Sequence, residues 1–312
     1  MPKTARKYED QLQLDMPPEE ALERFARINT KDVQTEMLAR VSNGHKAFPF
    51  VKWVGGKRSI IDELVKRLPK KFGMYYEPFV GGGALFFEIA ESLTKAVLSD
   101  TNLDLVLAYN VIKKDLPQLV ALLKKHERNH NEDYYYKIRD RHNLQDPIEI
   151  AARLIYLNKT CYNGLWRVNR KGEFNVPIGS YVSPTIVQEK NLGACNKALQ
   201  SVTILYQEFD HIKPEKEDFV YFDPPYHPTE NGSFTKYSKS DFIGKDQQAL
   251  AEFIKGLHKQ GVKIMLSNSD TKFIHELYKG SMFKTEIIHA PRLVNCKPKG
   301  RSDVQEVLIT NY

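Results

Sequence analysis

The chain has 312 residues, 41% of them hydrophobic and 27% charged, with a formal net charge of +7. It has enough length for one large core or two modest ones, and no apolar run approaches the ~20 residues that span a bilayer. Met1 to Gln11 carries no apolar leader, so the reading is a cytoplasmic chain without a membrane partner. Lys and Arg are spread along the sequence, which favours a polyanionic partner through counterion release from phosphates. Cys161, Cys195 and Cys296 lie far apart with no CxxC spacing, so neither a metal site nor a disulfide framework is expected.

In chain order, residues 1–47 stand apart. Asp15-Met16-Pro17-Pro18-Glu19-Glu20 has the features of a helix start, and Asn43-Gly44 is a breaker, so one or two short helices are expected there. From Phe48 the pattern becomes that of a folded core. KRSIIDELVKRL, residues 57–68, predicts a helix with Ile60, Ile61, Leu64, Val65 and Leu68 on one face. Tyr75 to Phe79 reads as a strand running into a glycine turn. A helix through Leu85 to Ile89 follows, then a strand, Ala96 to Ser99, that ends on Asp100. Strand, glycine turn, helix, strand and acid begin a doubly wound α/β sheet. Residues 115–198 interrupt that rhythm with helices over 116–127 and 147–158, a polar run RNHNEDYYYKIRDRHN, and a hairpin from Asn163 to Tyr181. Strands resume at Val202–Leu205, Phe219–Phe222, Val262–Leu266 and Val307–Thr310.

Three segments carry chemistry. Asp223-Pro224-Pro225-Tyr226 follows the apolar strand FVYF, at the end of the sheet where open α/β folds bind ligands. A carboxylate and the Pro224 carbonyl together can accept both hydrogens of a planar NH2 group, and Tyr226 can stack on the ring that bears it. A solvated Asp in a proline turn is the plainer alternative. Glu77-Pro78-Phe79-Val80-Gly81-Gly82-Gly83 is a turn whose glycines admit close backbone approach, followed by the free N–H groups of a helix start. It holds no GxGxxG and no P-loop, so a ligand with a carboxylate and a ribose is better supported than a dinucleotide or a triphosphate. Asp100 is placed to accept from ribose hydroxyls. In Phe50-Val51-Lys52-Trp53-Val54-Gly55-Gly56-Lys57, Trp53 and Lys57 suit closure over a zwitterionic amino acid, though Trp53 also suits a place in the core.

FVKWVGGK, EPFVGGGALFFEI, LSD at 98–100, YNGLWRVNRKGEFNVPIGSY and FDPPY stand in an order and spacing that resemble the Dam-type, α-group DNA adenine-N6 methyltransferases over about residues 48–312. The resemblance implies a Rossmann-like methyltransferase sheet of mixed α/β class, formed by 48–114 and 199–312. Residues 115–198 would be an inserted, mostly helical target-recognition domain carrying a β-hairpin, and 1–47 an extension that departs from the family pattern. It further implies S-adenosylmethionine as methyl donor, held by Trp53, Lys57, Pro78, Phe79, Gly81, Gly83, Asp100, Glu208, Phe209 and Asp223, with Asp210 an alternative to Glu208. Asp223, Pro224, Pro225 and Tyr226 match the catalytic motif. Tyr162, Asn163, Leu165, Arg167, Asn169, Pro177 and Tyr181 match the reader of double-stranded DNA, with GATC or a GAT-containing site as target.

The implied chemistry is direct transfer to an adenine flipped from the duplex, without metal or covalent intermediate. No cysteine follows a proline, which argues against a cytosine-C5 mechanism. Asp rather than Ser or Asn before PPY favours adenine over cytosine N4 or glutamine. Alternatives left open are the cytosine-N4 reaction, a non-catalytic DNA-binding module, and a hairpin tip whose Arg167, Arg170 and Lys171 touch phosphates alone. Loops 227–240 and 290–303 are read either as DNA contacts or as ordinary surface. A cognate restriction endonuclease is a possible partner, in a prokaryotic or phage setting.

Overall fold

The computed structural model of the chain describes residues 44–228, 242, 244–290 and 304–312. The helices expected in the N-terminal extension, and nearly all of loops 227–240 and 290–303, lie outside the described residues. Seven strands form one sheet: β1 (Tyr75–Glu77), β2 (Ala96–Asp100), β3 (Val202–Tyr206), β4 (Phe219–Phe222), β5 (Lys263–Ser269), β6 (Lys284–Ala290) and β7 (Val304–Thr310), in the order 3-2-1-4-5-7-6. The first five run parallel, while β7 is antiparallel to both β5 and β6. This is a mixed α/β, Rossmann-like sheet, as expected. The chain reverses direction across the sheet between β1 and β4, which is where such sheets open a crevice.

The period of two sorts each strand between two cores. Tyr75, Leu98, Phe219, Tyr221, Met265 and Leu308 face one side; Tyr76, Val220, Phe222, Ile264, Leu266, Val307 and Ile309 face the other. The first face is covered by α1 (Ile61–Lys66), α2 (Ala84–Ile89) and α3 (Leu103–Lys114), and the second by α8 (Gly244–Lys259) and α9 (Lys272–Leu277). Four further helices, α4 (Leu116–Arg128), α5 (Glu132–Arg139), α6 (Pro147–Thr160) and α7 (Glu189–Leu199), extend the first core, with α6 packed along α3. None of the described helices is long and apolar enough to cross a membrane.

Local chemistry sets four of the nine described α-helix starts. Asn102, Asn131, Asp146 and Thr271 each accept a backbone N–H of the first turn, and Pro147 fills the first position of α6, where its missing donor costs nothing. The helix expected over 57–68 is shorter: a 3-10 turn, Lys57–Ile60, leads into α1, and Val65 points outward, 37% exposed. Helix α5 lies inside the run read as merely polar, because its buried face is built from Tyr135 and Ile138. The hairpin after α6 is looser than a ladder. It is held by the bridges Cys161↔Ile178 and Val168↔Phe174, with Asn163 in a left-handed conformation at φ 55°.

Two buried asparagines bind the segment before α1 to the helical layer. Asn191 accepts from Phe48 N at 3.0 Å and donates to Phe48 O at 2.9 Å. Asn158 accepts from Lys52 N at 2.8 Å and donates to Lys52 O at 2.7 Å and to Gly164 O at 3.0 Å. Asn158 is fully buried, so truncation strips a partner from three backbone groups, of which the Gly164 carbonyl is buried. Asn158→Ala is expected to lower stability by roughly 2–4 kcal/mol in urea denaturation, whereas breaking an exposed pair such as Lys255–Glu252 should leave the midpoint nearly unchanged.

Candidate active site

Three acids stand at the carboxyl ends of adjacent parallel strands: Glu77 on β1, Asp100 on β2 and Asp223 just past β4. Lys57, from the 3-10 turn before α1, reaches into this edge. Its ammonium lies 2.8 Å from Asp223 Oδ1, donates to Gly55 O at 2.6 Å, and sits 4.7 Å from the centre of the Tyr226 ring. The Asp223 side chain is 19% exposed. Burial lifts its carboxyl to about 6, with Glu306 adding to the rise and Lys57 opposing it. Deeper in, Glu77 accepts from Tyr75 OH at 2.8 Å, and burial pushes its carboxyl to about 8.

The DPPY turn cannot tie itself together, because two prolines remove two donors. Neighbouring side chains do it instead. Strand β5 pairs Leu266 with Phe222, the last residue of β4, and then runs three residues further, alongside the turn. There Asn268 Oδ1 accepts from His227 N at 3.1 Å, and Ser269 Oγ donates to His227 O at 2.6 Å. Asn268 Nδ2 donates to Gln247 Oε1 at 3.0 Å, and Gln247 Nε2 donates to Pro225 O at 2.9 Å. Both amides are fully buried. Tyr226 OH completes the frame by donating to Glu306 Oε2 at 2.7 Å.

The glycine turn is shaped by Asp100, whose Oδ2 accepts from Gly81 N at 3.0 Å and whose Oδ1 accepts from Asn102 N at 2.9 Å. Burial raises the Asp100 carboxyl against the pull of these bonds. Gly81 and Gly83 have φ of 46° and 67°, and a Cβ on Gly81 would fall 2.6 Å from Trp53 Cδ1. The other face of this corner is aromatic: Phe79 stacks with Phe209 at 5.6 Å, and Phe242 meets both edge-on. Pro78 is buried beside them, while Glu208 is exposed and Asp210 pairs with His211.

Trp53 also stacks on Trp166 of the hairpin, at 6.2 Å. Along that hairpin Tyr162, Asn163, Pro177 and Tyr181 are exposed, and Leu165 is partly buried. Lys52 Nζ donates to Tyr181 OH at 3.1 Å. Arg167 is held by Asn175, through Nε to the side-chain oxygen at 2.8 Å and Nη2 to the carbonyl at 3.3 Å. Asn169 is committed to the hairpin tip, accepting from Lys171 N and Glu173 N and donating to Glu173. The sequence alone did not single out Gln247, Asn268 or Glu306, which the fold sets around the DPPY turn. Asn268 alone left a signal, the polar Ser-Asn-Ser that ends the apolar β5.

A carboxyl that titrates at about 8 when folded, against an ordinary 4.5, holds its proton longer in the folded state. Its contribution is therefore present in full below about 4.5 and lost as pH rises to about 8. Glu77→Gln keeps the hydrogen-bonding shape and removes the titration. The variant is expected to flatten the fall in thermal midpoint across that interval; an unchanged slope would reject a neutral Glu77.

A family model described as D12 class N6 adenine-specific DNA methyltransferase matches residues 53–294. The chain is similar to the type II methyltransferase M.MjaIII of Methanocaldococcus jannaschii, 43% identical over 287 residues that cover 85% of this chain and 99% of that one. It is similar to M1.LlaDCHI of Lactococcus lactis subsp. cremoris, at 39% identity over 85% of this chain and 95% of that one. With the DNA adenine methylase of Escherichia coli K12 it shares 32% identity over 83% of this chain and 93% of that one. The chain therefore belongs to the D12 class of N6 adenine-specific DNA methyltransferases.

Proposed function

We propose that this enzyme transfers a methyl group from S-adenosylmethionine to the N6 of an adenine rotated out of double-stranded DNA, in GATC or a site containing GAT. The observation that carries the chemistry is the clamped turn after β4. Asp223 stands at its start, the Pro225 carbonyl is taken by Gln247, and the Pro224 carbonyl has no partner among the described residues. The amine's two N–H groups would donate to Asp223 and to the Pro224 carbonyl. That removes nitrogen lone-pair density from the ring and directs it at the methyl carbon.

The residues at the glycine turn suit the methyl donor. Asp100 offers lone pairs to a ribose diol, Phe79 and Phe209 offer apolar walls to a purine, and Trp53 closes the corner beside Gly81. Glu208 remains the proposed neighbour of the cofactor adenine on the strength of the resemblance. When bound, S-adenosylmethionine supplies an electrophilic methyl on a sulfonium. Lys57 keeps Asp223 ionised despite burial, and a carboxylate titrating near 6 is basic enough to take the proton the methylated amine sheds.

Residues 115–198 are proposed to read the DNA, through Tyr162, Asn163, Leu165, Arg167, Pro177 and Tyr181. For Arg167 this requires the guanidinium to turn from Asn175 towards guanine O6 and N7. Asn169 then serves by holding the hairpin tip in shape rather than by touching a base. The type II naming of M.MjaIII and M1.LlaDCHI is the ground for proposing a cognate restriction endonuclease as partner.

Two experiments test this reading. Expression in a host lacking adenine methylation, followed by sequencing of modified bases, should find N6-methyladenine confined to GATC or one GAT-containing motif. Modification at a different motif overturns the site, and modification at no adenine overturns the reading. In the second, kcat/KM should fall on the acid side with an apparent pKa near 6, as Asp223 gains a proton and loses its role as acceptor. Lys57→Met should shift that limb to higher pH, and Asp223→Ala should abolish transfer while DNA binding persists.

A further inference from the structure

Tyr226 has a backbone fixed by the Gln247 and Asn268 clamps, but those bonds leave its ring free to turn about two side-chain torsions. One hydrogen bond sets the ring, from the phenol to Glu306 Oε2 at 2.7 Å. Glu306 is well placed to hold it. It lies on β7, paired with Ser269 of β5 on one side and Ile288 of β6 on the other, so its backbone is part of the sheet. Ser269 is the residue that binds His227 O, which puts the anchor of the ring and the anchor of the turn at the same level of the sheet. Among the described residues no Lys or Arg forms an ion pair with Glu306, so its charge is directed to the phenol. The Lys57 ammonium that pairs with Asp223 also lies over this ring, so the ring's tilt is felt at the carboxylate that takes the amine.

We propose that Glu306 is a positioning residue for methyl transfer, anchoring the Tyr226 phenol so that the ring presents a fixed face to the target adenine. The proposal rests on the reading of Tyr226 as a wall of the adenine pocket. An anchor of this kind acts on alignment, so it belongs to the chemical step and not to capture of either substrate. Its requirement is an acceptor atom at the right place, which Gln can supply and Leu cannot.

The test compares Tyr226→Phe, Glu306→Leu, Glu306→Gln and the Tyr226→Phe/Glu306→Leu double variant in single-turnover methylation of a GAT-containing duplex. Titrations of S-adenosylmethionine and DNA, and a thermal melt, accompany each. Tyr226→Phe and Glu306→Leu should each slow the methyl-transfer rate on the order of tenfold, with both affinities within about twofold of the parent. The double variant should be no slower than either single one, and Glu306→Gln should stay within about threefold of the parent. Additive losses, an unchanged rate in Glu306→Leu, or a Gln variant as slow as Leu each overturn the anchor. If Glu306→Leu fails to fold, Tyr226→Phe removes the same bond from the other end, and full activity there overturns the proposal. Tyr226→Ala separates the two ideas. Full activity in that variant defeats the reading of Tyr226 itself, whereas a dead Tyr226→Ala beside a parent-like Glu306→Leu defeats only the role of Glu306.

Discussion

The buried ion pair between Lys57 and Asp223 is the contact on which the site depends. A parallel sheet collects strand ends on one edge, and this chain puts an acid at three of them. Acids crowded into an apolar edge protonate unless a positive charge is supplied. Glu77 has Tyr75 as a hydrogen-bond partner and forms no ion pair among the described residues; burial pushes it to about 8 against the weaker pull of Lys57. Asp223, with Lys57 at 2.8 Å, stays at about 6 and ionised at neutral pH. Two carboxyls at the same edge of the sheet are thus held in different charge states at neutral pH, one neutral and one ionised.

A second constraint follows from the prolines. A turn short of donors gives its carbonyls to whatever approaches, which suits an amine but leaves the turn unsupported. The overhang of β5 past β4 resolves this by bringing Asn268 and Ser269 level with the turn, and Gln247 extends the reach from α8. Rigidity comes from buried side chains beside the turn, while the Pro224 carbonyl has no partner among the described residues.

How much of this could be read from the sequence depended on range. The glycine turn, the acid ending β2 and the DPPY at the end of FVYF were legible because each is a local pattern with a local cause. Helix α5 was not, since its buried face is only Tyr135 and Ile138 in an otherwise polar run, and β6 was not, since an edge strand with Lys, Thr, Glu and His shows no apolar alternation. Gln247 reads as one more polar residue on an amphipathic helix, and Glu306 as one more charge on a strand. Their place at the site is a matter of register between strands and helices tens of residues apart, which no local window contains.

Trp53 carries a consequence of its own. One side of its indole fills the space where a side chain on Gly81 would be, and it is stacked with Trp166 at the root of the hairpin. A single rigid plane therefore touches both the glycine turn and the hairpin. A ligand at the glycine turn and a contact at the hairpin would therefore meet through one side chain, and linkage makes any such coupling reciprocal.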